Sequence, residues 1–478
     1  MDQAHPTSRS SDTPVVREAD ANTIPAFASP GSDAERPAIT RRGFLRGIGV
    51  AAAGAALAGC GTPSAMGPRR TRAVQLVYQE GRSEWLVTTA QHMLEQFHTS
   101  NPHISVFLAQ DPENTASQML SDFQNGTAPD VFAGCCDSLP LWAQAGYLLD
   151  LRPYVEADLD EATVDDWHPA HYRALFTHSG VQYALPKCQG ALVLYYNKDL
   201  FDQYGVEYPT DAWTHDDYLE AMRGLVRPMD RTGKIDLWGS MVDVSWGHLQ
   251  VHVNGWGGHF VDPLDPRRSL MAQPEALEAL QWLRDRMWDD HTMASLLDVR
   301  TIAPWQAFVE GHLAMVEEGS WSLKRILENA NFRVGVAPLP AGPARRATLA
   351  TADGFAIYAG TRHPEAAWEL LKFLISPRYG RAMAQAQLLH PARASLVGEW
   401  ANLVREQHPG RSRDMDLSVF ADGHLRGYSV TAEIFANMAE ARRLAQAAWS
   451  RIFTLGQAQT DLVRTLSAQI DAAQQAGA

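Results

Sequence analysis

From residue 73 onward, short apolar runs alternate with segments whose apolar residues recur every three or four positions. The run Ala73–Tyr78 predicts a strand. The next segment predicts an amphipathic helix, because Ser83 can cap its start and Asn101-Pro102 ends it. Ile104–Leu108 then alternates between apolar and polar positions, as a half-buried strand does. The ordered part of the chain therefore begins as strand, helix, strand.

The same alternation continues along the chain. A helix over residues 116–123, ending at Gly126, is followed by a strand over 130–133. Further strands are predicted at 191–196, 314–316 and 355–358, and helices at 274–287, 364–375 and over most of the last fifty residues. This order predicts an α/β fold with mostly parallel sheets flanked by helices. Because ligands bind beyond the carboxyl ends of such strands, the loops 79–82 and 134–137 are candidate site segments.

The N-terminal part of the chain has a different pattern. Its apolar run, Ile48–Gly59, has 12 residues, whereas a bilayer-spanning helix needs about 20. The run is mostly Ala and Gly without a polar face, which argues against a core helix. A basic patch, a short apolar run and small residues form an export signal, so residues 1–59 are set apart from the fold. Residues 60–72 have the composition of a tether.

Two motifs refine this interpretation. Thr40–Leu45, with Arg41 and Arg42, resembles the bacterial twin-arginine export motif. Leu57–Cys60 resembles the lipobox, which implies that Cys60 is lipidated and becomes the new N-terminus. We therefore expect an exported domain, lipid-anchored at the outer face of the cell membrane or in the periplasm.

The charge of the chain limits its partners. The net charge is −14, and the leader carries six basic and six acidic residues, so the excess acidity lies on the remainder. An acidic body argues against nucleic acid or an anionic bilayer surface as the main partner. The length that remains after the leader is sufficient for more than one lobe.

Three cysteines follow Cys60: Cys135, Cys136 and Cys188. Disulfides persist outside the cytoplasm, and a bond between adjacent cysteines is strained. We therefore expect a disulfide from Cys135 or Cys136 to Cys188, with one thiol left over.

Motifs for catalysis and cofactor binding are absent from the sequence. It contains no GxSxG, HExxH, paired CxxC or GxxxxGK[ST] pattern, so no cofactor is expected. His248, His252 and His259 with Asp243 could hold a metal, but the neighbouring glycines indicate a loop, and no metal is expected. The paired carboxylates of a glycosidase meet in space rather than in sequence, so an exported glycoside-active enzyme remains an alternative.

Eight short strings carry a resemblance to a known family. In chain order they are Ala128–Val131, Trp142–Leu148, Tyr195–Phe201, Asp211–Trp213, Phe308–Met315, Glu318–Trp321, Pro338–Pro343 and Ala366–Leu374. The chain from about residue 73 to 395 resembles family 1 extracellular solute-binding proteins, the group that includes maltose-binding protein.

The resemblance implies two α/β lobes that are joined by crossing segments and close around a sugar, which is handed to the permease of an ABC importer. One lobe would hold residues 73–193 and 345–389, and the other 194–344 and 390–478. The protein would act as a monomer and would have no catalytic activity. A polar ligand other than a sugar, such as a glycerophosphodiester, also remains open.

A sugar site needs aromatic planes for stacking and polar groups for hydrogen bonds. The resemblance implies stacking by Trp321 and Trp246 and hydroxyl binding by the carboxylates of Asp137 and Glu80. The remaining ligand residues that we expect are Gln189 and Asp353, which lie close to the crossing strands, and Arg393 and Tyr428 in the later part of the chain.

Overall fold

The computed structural model describes residues 73–81, 84–111, 115–135, 138–177, 179–228, 235–300 and 302–476. The predicted export signal with Arg41 and Arg42, the predicted lipidation site Cys60 and the predicted tether lie outside these ranges, as does Asp137. Within the described ranges, no helix combines the length and the apolar composition that crossing a bilayer requires.

The strands, in chain order, are β1 Val74–Glu80, β2 Ile104–Gln110, β3 Val131–Gly134, β4 Leu185–Asn197, β5 Arg227–Pro228, β6 Ile235–Leu237, β7 Ser240–Met241, β8 Val261–Asp262, β9 Asp265–Ser269, β10 Met293–Ala294, β11 Met315–Gly319, β12 Val334–Ala337, β13 Thr348–Ile357, β14 His390–Pro391 and β15 Ser429–Val430. The strands predicted at 73–78, 104–108 and 130–133 are confirmed as β1, β2 and β3.

The α-helices are α1 Glu84–Ser100, α2 Thr115–Gln124, α3 Ser138–Gln144, α4 Arg152–Asp158, α5 Glu161–Asp165, α6 Pro169–Arg173, α7 Lys198–Tyr204, α8 His215–Leu225, α9 Trp246–Gly255, α10 Pro274–Trp288, α11 Pro304–Val309, α12 Leu323–Asn329, α13 Pro364–Leu374, α14 Pro377–Gln387, α15 Val397–Gln407, α16 Pro409–Ser412, α17 Val419–Leu425, α18 Met438–Trp449 and α19 Leu462–Ala476. The structure confirms the helices predicted after Ser83, over 116–123, 274–287 and 364–375, and at the C-terminal end.

The first strands form the parallel arrangement that the β-α-β-α order predicts. β1 pairs in parallel with β2 over its whole length and with β3 at Tyr78 and Gln79. The carboxyl ends of β1 and β3 therefore lie at the same edge, and Glu80 is the last residue of β1.

Two long strands connect this sheet to the rest of the molecule. β4 and β13 pair antiparallel, and β13 pairs with β3 at its C-terminal end. The other end of β4 pairs with β11 and β12. At the crossing, Gly190 faces Thr351, and a Cβ at residue 190 would lie 2.0 Å from the Thr351 hydroxyl oxygen. Glycine is therefore required there for the two strands to approach closely.

The buried side chains form separate cores on the two sides of this crossing. One side contains Leu76, Phe97, Phe355 and Leu371 and a neighbouring cluster around Phe132. The other side is larger, and is built by α8–α10, β11, β12 and the C-terminal helices. Each half of the molecule thus buries its own apolar side chains.

The structure corrects the predicted disulfide. Cys188 is in no disulfide, and its thiol donates a hydrogen bond to Asp353 Oδ2 at 3.3 Å. Burial raises the pKa of the Cys188 thiol well above its usual value, and the neighbouring Asp353 carboxylate raises this pKa further. The prediction failed because the spacing of cysteines does not show which of them faces a carboxylate on a neighbouring strand.

Candidate functional site

Trp321 lies on a short 3-10 turn, Ser320–Ser322, directly after β11. Its side chain is 37% exposed, whereas the other tryptophans with described side chains are buried or partly buried. The indole packs against the backbone of Gly319, because a Cβ at residue 319 would lie 2.0 to 2.3 Å from three ring atoms. An exposed aromatic face in a fixed orientation is the geometry that stacking on a sugar ring requires.

The turn that carries Trp321 is tied to the crossing strand β4. The Ala191 backbone N–H donates to Ser320 Oγ at 3.2 Å, and the Tyr195 hydroxyl donates to the Gly319 carbonyl at 3.2 Å. Both bonds are buried, so the position of the turn is coupled to the strand that links the two halves of the molecule.

Two carboxylates lie beside this turn. Val242, the residue after β7, forms an isolated parallel bridge with Glu317 on β11, so Asp243 and Glu318 are the next residues along the two segments. Asp243 is exposed, whereas Glu318 is buried and its Oε1 accepts the Gly319 N–H at 2.7 Å. Burial raises the pKa of the Glu318 carboxyl, and the charge of Asp243 adds to this effect while His248 opposes it.

The helix α9 begins a few residues after Asp243, with Ser245 at its N-cap position. Ser245 Oγ hydrogen-bonds His248 Nδ1 at 2.8 Å, while Nε2 of the same ring is buried and has no partner among the described residues. The sequence did not single out His248 or Glu318 as sugar ligands, although Glu318 stands in the string that identified Trp321. Their position at strand and helix ends is the signal that could have found them.

The three histidines that could have shared a metal have different partners. His252 Nε2 hydrogen-bonds Glu317 at 2.9 Å, and His259 Nδ1 hydrogen-bonds Glu433 at 2.7 Å. Among the described residues, no group of three or more potential ligands is close enough to hold a metal ion.

Glu80 lies inside the protein, although it is the last residue of β1. Its Oε1 accepts from Lys187 Nζ at 2.5 Å and from the Gly81 N–H at 2.9 Å, and its Oε2 accepts from the Tyr78 hydroxyl at 2.5 Å. Burial alone would lower the pKa of Lys187, but the Glu80 carboxylate and its neighbours raise it overall. In this conformation Glu80 is a buried ion-pair partner with no exposed surface.

Asp353 and Gln189 lie on the crossing strands close to this ion pair. Asp353 is partly exposed, and burial raises the pKa of its carboxyl while Lys187 lowers it. Gln189 is buried and pairs with Ala352 on β13 and with His390 on β14. Both residues therefore belong to the segment that joins the two halves.

Trp246 and Arg393 are engaged in packing. Trp246 is 6% exposed, lies 4.9 Å from Phe260 between ring centroids, and donates its indole N–H to the Glu433 carbonyl at 3.0 Å. Arg393 is buried, forms a partly buried ion pair with Asp166 at 3.1 Å and lies over Trp167. In this conformation both are core residues, so the stacking role predicted for Trp246 does not agree with its burial.

The ring of Tyr428 lies beside the side chains of two arginines. The guanidinium carbons of Arg346 and Arg426 lie 5.8 and 5.9 Å from its ring centroid. Arg426 also lines a cavity of about 390 Å³ whose rim contains Asp211, Asp414 and Asp422. None of the predicted ligand residues lines that cavity.

The fold defines a class: two α/β halves joined by long shared strands, with an aromatic platform and carboxylates at the strand ends of one half. Residues 85–381 match the model of the bacterial extracellular solute-binding protein family. Since the match spans more than half of the chain, the protein belongs to this family.

Sequence relatives agree with the family. The chain is 24% identical over 300 residues to a maltotriose-binding protein from Pyrococcus abyssi, covering 62% of this chain and 61% of that protein. It is 28% identical over 269 residues to an arabinooligosaccharide-binding protein from Halalkalibacterium halodurans, covering 54% and 57%.

Solved structures show the same two-lobed fold. An ABC substrate-binding protein from Listeria monocytogenes in complex with cycloalternan matches with a TM-score of 0.72 and 23% identity, covering 84% of this chain and 99% of that one. A maltose/maltodextrin-binding domain from Bdellovibrio bacteriovorus, bound to maltotriose, matches with a TM-score of 0.66 and 19% identity, covering 85% and 100%.

Proposed function

We propose that the protein is the substrate-binding component of an ABC importer, and that it binds a sugar or oligosaccharide between its two lobes and delivers it to the membrane permease. The observation that carries the proposal is the exposed indole of Trp321, held in place by Gly319. The sugar ligands named for the relatives and for the similar structures support the same ligand class.

The proposed lobes are residues 73–193 with 345–389, and 194–344 with 390–478. The separate cores support this division and refine its edges. Ala347, Leu349, Ala384 and Leu388 pack with the cores of the second lobe. The segments that cross between lobes therefore extend a few residues beyond the boundaries predicted from the sequence.

We also propose that the mature protein is a monomer anchored through a lipid on Cys60 after export by the twin-arginine route. The name of one relative, an uncharacterized lipoprotein from Streptomyces antibioticus, supports the anchor. A tether next to one permease would raise the effective concentration of the loaded protein at the membrane.

A thermal-shift and fluorescence screen tests the function. The mature protein is mixed with maltose, maltotriose, mannobiose, arabinobiose and glycerophosphocholine. A ligand at 100 times its dissociation constant stabilises the protein by about 2.7 kcal/mol, which raises the melting temperature measurably. The proposal expects a saturable shift with at least one sugar and no release of reducing ends. Release of reducing ends would instead show a glycoside-active enzyme, and a shift with glycerophosphocholine alone would refute the sugar ligand.

A further inference from the structure

The ends of β7 and β11 carry a polar cluster whose role the family match does not assign. The cluster consists of Asp243, Glu318 and His248, and it adjoins the turn with Trp321. Because Val242 is bridged to Glu317, Asp243 in the segment after β7 and Glu318 on β11 are the next residues in register. The end of β11 lies close to the crossing of β4 and β13, because Gly319 pairs with Leu192 on β4 and Ala191 pairs with Ala350 on β13.

The two carboxylates of this cluster have the same sign of charge. Asp243 is an exposed carboxylate, and Glu318 is a buried one whose Oε1 accepts a hydrogen bond from the neutral Gly319 backbone N–H. Lys187 does not neutralise these carboxylates, because its ammonium group already pairs with Glu80. An anionic group placed beside Trp321 would therefore face two acceptors of like charge without an adjacent free cation among these residues.

The third member supplies a hydrogen-bonding nitrogen. His248 is 7% exposed, and its Nδ1 is held by Ser245 at 2.8 Å, which fixes the plane of the ring. Its Nε2 is buried without a partner among the described residues. An unpaired buried polar atom is unfavourable, and a hydrogen bond from a bound ligand would remove that penalty.

Resting on the proposed function, we propose that Asp243, Glu318 and His248 form a subsite beside Trp321 that binds the hydroxyl groups of an uncharged sugar ring and excludes ligands with a phosphate or carboxylate at that ring. A sugar hydroxyl donates one hydrogen bond and accepts others, so it can donate to a carboxylate and can also pair with the imidazole nitrogen. A phosphate oxygen only accepts, so it gains nothing from either carboxylate.

Calorimetric titration tests the subsite with the best neutral sugar from the screen and its phosphate ester. His248→Leu removes the nitrogen, and His248→Gln restores a hydrogen-bonding group near the position of Nε2. We expect about a 10-fold loss of affinity in the first variant and a loss of less than about 3-fold in the second. Glu318→Gln should weaken binding of the neutral sugar by about 3-fold or more. It should also reduce the ratio between the affinity for the neutral sugar and the affinity for its phosphate ester.

The control is Glu310→Gln, a change of the same kind at an exposed residue bound to Gln306, and it should leave both affinities unchanged. Circular dichroism melts check that each variant is folded. Unchanged sugar affinity in the His248 and Glu318 variants, or tighter binding of the phosphate ester by the unmodified protein, would overturn the subsite. If a sugar still binds and Trp321→Ala still weakens that binding, the proposed function survives. Failure of every sugar in the screen would overturn both.

Discussion

The indole of Trp321 lies directly against Gly319, at a position where any Cβ would overlap the ring. The Gly319 backbone, with φ −79° and ψ 155°, is open to alanine, so the restriction comes from the ring alone. The glycine therefore sets the orientation of the aromatic platform.

Gly319→Ala should displace the indole and weaken sugar binding by about 1 to 2 kcal/mol, part of the loss expected for removing the ring. Calorimetry with the sugar identified in the screen measures the change. Gly398→Ala is the matched control, because nothing lies within 4 Å of a Cβ there and the residue is helical. It should leave affinity unchanged and slightly increase stability. Equal affinities in both variants would contradict the role of Gly319.

Lys187→Met should destabilise the protein by about 3 to 5 kcal/mol, because it leaves the buried Glu80 carboxylate without its cation. Urea unfolding measures the loss. Lys372→Met removes a more exposed cation that pairs with Asp158 and Glu369, and should cost less than about 1 kcal/mol. A comparable loss in the two variants would argue against a special role for the Glu80–Lys187 pair.

Stability should fall on mild acidification. Burial lowers the pKa of His171 and of His390 to about 4, and that of His424 to about 3. The unfolded chain, with a histidine pKa near 6.5, binds more protons in this window, so the stabilisation is full above pH 6.5 and is lost as the pH falls through 4. Melting temperatures from pH 8 to pH 4 check this. A constant melting temperature down to pH 4.5 would contradict it.

The three rings lie close to the crossing strands. His171 Nε2 hydrogen-bonds the Asp353 carbonyl, the rings of His171 and His424 lie 6.3 Å apart, and His390 pairs with Gln189 on β4. His390→Gln should therefore reduce the fall in melting temperature between pH 8 and pH 4. His312→Gln, at a histidine whose side chain is only partly buried, should leave the dependence of stability on pH unchanged.

The Cys188 thiol should react slowly with iodoacetamide in the folded protein and fast in denaturant, because it is buried and bonded to Asp353. Mass spectrometry without reduction should find it unpaired. A disulfide-linked peptide that contains Cys188 would restore the original expectation and contradict the structure.

Cys60→Ser should release an otherwise competent binder from the membrane, because a lipobox cysteine carries the acyl chains. Fractionation of cells that express each form, followed by ligand titration of the released protein, checks both properties. Retention of the variant in the membrane fraction would contradict the lipobox interpretation.

Local patterns predicted six of the strands and several of the longer helices but shortened the two crossing strands. Residues 191–196 read as a strand, whereas β4 begins at Leu185, where Pro186 and Gly190 interrupt the apolar pattern. That part is held by pairing with β13 and β14. Such pairing depends on residues far away in the chain, and no local pattern reports it.

The same limit applies to the site. Trp321, which follows a glycine turn after a strand, is assigned a stacking role by the family resemblance, and its indole is exposed in the structure. The partner of Glu80 lies 107 residues away, and the contacts that bury Trp246 come from Glu433 and Phe435 near the end of the chain. The side-chain types alone could not show that these groups are already engaged within the protein.

The most direct measurement is the sugar affinity of Trp321→Ala beside Trp321→Phe, with the ligand found in the screen. The account predicts that alanine weakens binding by about 1 to 3 kcal/mol, that phenylalanine retains most of the affinity, and that the melting temperature without ligand is nearly unchanged because the indole is exposed. Equal sugar affinity in the alanine variant and the unmodified protein would contradict the account.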